Sequence, residues 1–228
     1  MVRHREARPI KPPVQPTLPP PLLSNSATLL AYGKDPHDNG RNTLALDLVA
    51  LNTTGNIRVH PTRDVALIKI GITAGAVINL VNGVTSLSKA SSGILGVSLA
   101  NLERFTDVLV ANEVCVFGYP RSLCLAQLAQ LDPDRPLLRQ GIVAGTNPAQ
   151  HSIIIDCPLY PGNSGGPVLE VQDEGLSRRF KVIGLVSKFV PFVETWVETL
   201  HGWTNHSVSN SGYSIVVPSD FILELLGP

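Results

Sequence analysis

Hydrophobic residues in this chain fall into short runs separated by Gly, Pro, Asn and Asp. The runs are "ATLLAY" (27–32), "LALDLVAL" (44–51), "VALIKI" (65–70), "AVINLV" (76–81), "EVCVFGY" (113–119), "GIVAG" (141–145), "HSIIID" (151–156), "PVLEV" (167–171), "FKVIGLV" (180–186) and "YSIVV" (213–217). Runs of this length, rich in β-branched residues and bounded by turn formers, predict strands; so many in succession predict an all-β barrel or sandwich. Helical patterning is scarce. The C-terminal "PSDFILELL" predicts a short helix capped by Ser219, with Phe221, Ile222, Leu225 and Leu226 on one apolar face. "SLANLERF" (98–105) reads as a second short helix. Residues 9–21 hold seven prolines in thirteen positions, which neither pair in a sheet nor continue a helix, and read as an extended linker or long surface loop.

Composition narrows the class. A chain of 228 residues with 43% hydrophobic and only 16% charged residues buries a sizeable core. Eighteen basic and eighteen acidic residues cancel, so nothing in the charge balance draws nucleic acid or anionic lipid. No apolar run is long enough for a membrane helix, and the opening "MVRHREARPIKPP" lacks the apolar stretch of a secretory signal. Cys115, Cys124 and Cys157 form no C-x-x-C pair, which argues for free thiols in a reducing, cytoplasmic setting. No His, Cys, Asp or Glu cluster has ligand spacing, so neither metal nor cofactor is expected.

The candidate chemistry centres on Ser164, set among glycines in "PLYPGNSGGPVLEV" (158–171). Gly162, Ser164 and Gly166 satisfy the G-x-S-x-G elbow of α/β-hydrolases, but that serine opens a helix, whereas here Gly166 and Pro167 lead into a β-rich run. The matching Ser, Asp, His order would need Asp173 followed by His201 or His206, none of them in a supporting motif.

"PGNSGGPVL" resembles instead the nucleophile segment of chymotrypsin-fold serine peptidases, in the GNSGGP form common among bacterial members. "RDVALIKI" is similar to the strand that begins with that family's triad aspartate, here Asp64. "VIGLVSKF" is similar to the strand lining the substrate cleft, and "SGYSIVVPSDFILELL" to the closing strand and terminal helix. The resemblance runs from about residue 44 onward. It implies two six-stranded antiparallel barrels with the cleft between them, Ser164 as nucleophile, and Gly162 and Ser164 as oxyanion donors. It also implies a polypeptide substrate lying against Ser187, Lys188 and Phe189, with Pro158 at the floor of the specificity pocket. Pro158 carries no negative charge, so small or apolar side chains are expected there rather than Lys or Arg. Asn163 stands where animal digestive members carry an aspartate that needs a freshly cut N-terminal amine. A neutral amide needs only hydrogen-bond partners, so no zymogen cleavage is expected.

A serine hydroxyl attacks only when a histidine takes its proton and a carboxylate steadies the imidazolium. The family's order requires that histidine before Asp64, where His4, His37 and His60 are the candidates. His60, on the same short loop as Asp64, reads as structural or surface, and His37 as a turn residue. His4, in "MVRHREA", resembles the tail of the family's histidine motif and is the expected base; His37, or a chain with no working base, remains the alternative. His151, His201 and His206 come too late and read as surface or loop residues. With His4 as base the first barrel lacks its opening two strands. The expectation is therefore an incomplete N-terminal barrel over 1–105, a complete C-terminal barrel over 106–228, and a serine endopeptidase. The alternative is a peptidase-like module that binds an extended peptide without cutting it. Oligomeric state is not legible from the sequence.

Overall fold

The computed structural model describes residues 24–32, 35, 40–74, 77–91, 93–94, 96–119, 130, 132, 135–175, 177–197 and 203–227. His4, His37, Cys124, His201 and the proline-rich stretch 9–21 lie outside them.

The C-terminal half is a closed antiparallel barrel. Its strands are β8 (Glu113–Gly118), β9 (Leu137–Asn147), β10 (Ser152–Asp156), β11 (Pro167–Glu174), β12 (Ser177–Val197) and β13 (Thr204–Pro218), in the order β10-β13-β12-β11-β8-β9. The period-two alternation read from the sequence sends one side of each strand inward. Val114 and Val116 of β8, Val143 of β9, Ile153 and Ile155 of β10 and Val216 of β13 are completely buried in one core. Closure pairs every strand on both sides and removes the exposed edge.

The described strands of the N-terminal half fall into three separate sheets. Strands β1 (Ser26–Tyr32), β2 (Arg41–Asp47) and β7 (Val84–Ser88) form a three-stranded sheet; β3 (Ile57–Val59) pairs with β4 (Ala66–Ile68), and β5 (Gly71–Ala74) with β6 (Val77–Leu80). Leu44, Leu46, Leu51 and Val84 make its core. The described strands close no barrel here.

Three local expectations are corrected. The run 44–51 is not one strand: Asp47 ends β2 and accepts the Ala50 N–H (2.9 Å), starting helix α1 (Leu48–Thr53), which buries Leu51. Residues 98–105 form no helix, only a 3₁₀ turn at Leu99–Asn101, with a second beginning at Phe105; Leu99 is 62% exposed, so no apolar face holds a longer helix together. Helix α2 (Asp220–Leu226) stands where expected, but Ser219 does not cap it through its side chain, because its hydroxyl donates to the Val182 carbonyl (2.8 Å) and ties the helix to β12.

The sequence also understates β12 and β13. They continue past the barrel as a two-stranded ribbon, in register from Pro191 opposite Asn210 to Val197 opposite Thr204, with Trp196 and Trp203 exposed. Helix α2 bridges the two halves. Its last carbonyls, Leu225 and Leu226, accept from Arg58 of β3 (2.7 and 3.3 Å), and Asp220 at its start accepts the Phe105 N–H (2.7 Å).

Candidate active site

Ser164 sits at the tip of the turn between Cys157 and β11, held by main-chain bonds on both sides. Asn163 N–H donates to the Tyr160 carbonyl (3.0 Å), and the Asn163 side-chain oxygen accepts from Tyr160 N–H (3.2 Å). Gly165 N–H donates to the Val186 carbonyl (2.8 Å) and Val186 N–H to the Gly166 carbonyl (2.9 Å), docking the turn on β12. Glycine is required here for two reasons. Gly162 has φ +100°, in the left-handed region. At Gly166 a Cβ would run into the Phe117 carbonyl. Among the described residues, the N–H groups of Gly162 and Ser164 have no protein acceptor. The turn is thus fixed from beneath, with two N–H donors that have no acceptor among the described residues beside an exposed hydroxyl.

Asn163 is 1% exposed. Its oxygen is satisfied, while its Nδ2 has no partner among the described residues.

Asp64 reaches the same place from the other half, on the turn between β3 and β4. Ser187 of β12 joins the two: its hydroxyl donates to Asp64 Oδ2 (3.0 Å), and its carbonyl accepts from Ser164 Oγ (3.1 Å). One residue therefore holds the carboxylate through its side chain and the hydroxyl through its main chain. Both Asp64 and Ser164 remain exposed. Asp64, Ser187, Lys188, His151 and Phe221 line a recess of about 360 Å³ between the turn, β12 and α2. Phe189 is half-buried just beyond, and Pro158 is exposed beside Cys157.

The remaining histidines separate clearly. His60 is engaged at both ring nitrogens, with Thr62, Arg63 and Glu224. His151, in the β9–β10 turn at φ +47°, stacks on Phe105 (centroids 4.3 Å apart) and meets Phe221 edge-on. His206 pairs with Thr195 on the ribbon (3.0 Å). None of the three has a bond to Ser164 or Asp64 among those described.

Sequence reasoning missed Glu170. This β11 carboxylate is completely buried, accepting from Leu109 N–H (3.0 Å), Asn112 Nδ2 (3.0 Å) and Gln172 Nε2 (3.1 Å). Its position in "PVLEV" looks like an outward polar residue, and only the three-dimensional donors reveal otherwise. Cys157, next to the turn, is also completely buried, and burial pushes its thiol above the ordinary range, against the opposing pull of Arg139. Among the described residues no group of three or more His, Cys, Asp or Glu is placed to hold a metal ion, and no helix is long and apolar enough to cross a membrane.

A family model, the trypsin-like peptidase domain, matches residues 22–176. The chain belongs to this family. The matched span takes in both the Asp64 turn and the Ser164 turn, and Ser187, which bonds to both, lies beyond it. No curated protein matches the chain.

Proposed function

We propose that this trypsin-like peptidase domain is a serine endopeptidase that cuts polypeptides through an acyl-enzyme on Ser164. The observation that carries the proposal is the convergence of Asp64 and Ser164 on Ser187, from opposite halves of the chain. In this reading His4 takes the proton from Ser164 Oγ as the oxygen attacks the substrate carbonyl carbon, and Asp64 orients and stabilises the resulting imidazolium. The oxyanion is met by the Gly162 and Ser164 N–H groups, whose lack of an acceptor among the described residues supports this role. The imidazolium then protonates the leaving amine as the C–N bond breaks. Water, deprotonated by the same histidine, releases the acid and restores the serine. The substrate lies extended against Ser187, Lys188 and Phe189, with Pro158 at the pocket floor favouring small or apolar side chains. Residues 1–105 and 106–228 are taken as the halves flanking the cleft.

Two observations favour a second reading, a peptide-binding module without catalysis: the Ser164 hydroxyl donates to a main-chain carbonyl, and Asp64 is exposed. A fluorophosphonate probe separates the two. Covalent labelling that disappears in Ser164→Ala is expected of the peptidase; peptide binding with no labelling in the unmodified protein would overturn it in favour of the module.

A further inference from the structure

The turn carrying Asp64 is built around His60. Its Nδ1 accepts the N–H groups of Thr62 (3.3 Å) and Arg63 (3.1 Å), the residues two and three positions on. Its own N–H donates to the Val65 carbonyl (3.0 Å), closing the loop on the far side of Asp64. An imidazole nitrogen that accepts carries no proton, so the hydrogen resides on Nε2 and is donated to Glu224 Oε2 of α2 (3.0 Å). The ring stands edge-on to Phe221 (centroids 5.1 Å, 71°), and its side chain is 8% exposed. Next in the turn, Arg63 lies over the other side of this cluster, 4.7 Å from the Phe221 centroid, and donates to the Gln150 carbonyl (3.0 Å).

We propose that His60 is a positioning residue for Asp64: one ring nitrogen templates the turn from inside, the other fastens it to the C-terminal helix, and the carboxylate is thereby held against Ser187. The inference rests on the peptidase reading for its functional consequence, and on geometry alone for the latch. Chemically His60 does what an aspartate or asparagine does in an Asx turn, accepting the amides two and three residues on, while its second nitrogen adds a reach that short side chains lack. With both nitrogens committed, His60 is not available as the base. Asp64 is the residue most affected because it lies between the two templated amides and the Val65 carbonyl, with a single described hydrogen bond of its own, the one to Ser187.

The test uses the full chain and three variants, His60→Ala, His60→Asn and Glu224→Ala, with two readouts: hydrogen exchange of the peptide spanning 60–66, and the rate of fluorophosphonate labelling at Ser164. His60→Ala is expected to speed exchange on the order of tenfold, as the loss of about one backbone hydrogen bond requires, and to slow labelling 10- to 100-fold, the size of effect a displacement of about 1 Å produces. Asparagine, which restores the acceptor but not the reach to Glu224, is expected to recover most of the exchange protection and part of the labelling rate. Glu224→Ala, which keeps the inner bonds, is expected to show an intermediate loss. Faster exchange with unchanged labelling would overturn the positioning role, and unchanged exchange in His60→Ala would overturn the latch itself. If the unmodified protein is not labelled at all, the peptidase reading fails, and exchange in the three variants still decides whether the latch exists.

Discussion

Replacing Ser187 by alanine separates the two bonds that bring the site together. The substitution deletes the hydroxyl that donates to Asp64 Oδ2 and leaves the carbonyl that accepts from Ser164. A hydrogen bond to a charged group contributes about 1.5–3 kcal/mol when shielded from water. Asp64 is exposed, so water takes up part of the lost bond. The net effect on the transition state is then about 1 kcal/mol, or about fivefold in rate. The assay is the second-order rate constant for fluorophosphonate labelling, measured beside a thermal melt. Labelling slowed about fivefold with a melting temperature lowered by less than about 2 °C is the expected pair of results. The effect must also vanish where its partner is gone: in an Asp64→Ala background, which has no side-chain acceptor, the same substitution is expected to cost less than about 0.5 kcal/mol more. Full additivity of the two substitutions would refute the argument, because it would mean that Ser187 and Asp64 act without touching.

Three further outcomes follow from the same geometry. Gly162→Ala, forced to φ +100°, is expected to lose about 1–3 kcal/mol of stability and to slow labelling at least about 100-fold as its N–H turns away, measured by urea denaturation and probe kinetics; equal labelling would remove Gly162 from the oxyanion site. Glu170→Ala orphans three donors in the barrel and is expected to cost about 3–5 kcal/mol, whereas Glu170→Gln, which still accepts, costs less; equal urea midpoints for the two would contradict the bonding described. Cys157 sets a pH dependence: its folded thiol is raised by burial, so above the ordinary thiol range near 8.5 the unfolded chain ionises first and binds fewer protons, and stability falls as pH climbs toward the folded value. Cys157→Ala is expected to flatten the decline in urea midpoint between about pH 8 and 10, and parallel declines would contradict it.

The C-terminal barrel was legible in the sequence because its strands alternate cleanly and are bounded by turn residues, as in "EVCVFGY" and "HSIIID". The Ser164 turn was legible as a turn because glycine chemistry leaves few other structures for "PGNSGGP". Two kinds of feature escaped. Local competition hid α1: a continuous apolar run looks like one strand until the Asp47 side chain captures the Ala50 amide and switches the period. Long-range satisfaction hid the rest. Glu170 is buried because donors arrive from residues 109 and 112, and His60, read as structural or surface, finds in Glu224 a partner 164 positions away in sequence. The role of Ser187 as the joint between Asp64 and Ser164 belongs to this second kind. A serine in "VIGLVSKF" reads as one more cleft residue until the Asp64 turn is placed against it. The long β12–β13 ribbon was missed because Pro191 and the polar residues opposite it interrupt the hydrophobic alternation that marks a buried strand.

The central claim, that the Ser164 oxygen attacks acyl carbon, is tested most directly by trapping the covalent product. The full chain is mixed with an activated ester of a bulky, slowly released acid, quenched in acid, digested and mapped by mass spectrometry. The account predicts one acyl group per chain, located on Ser164 and formed at least about 100-fold more slowly in Gly162→Ala, with release of the ester's alcohol in equal amount. An unmodified Ser164, or acylation spread over lysines and unaltered by Ser164→Ala, would contradict it.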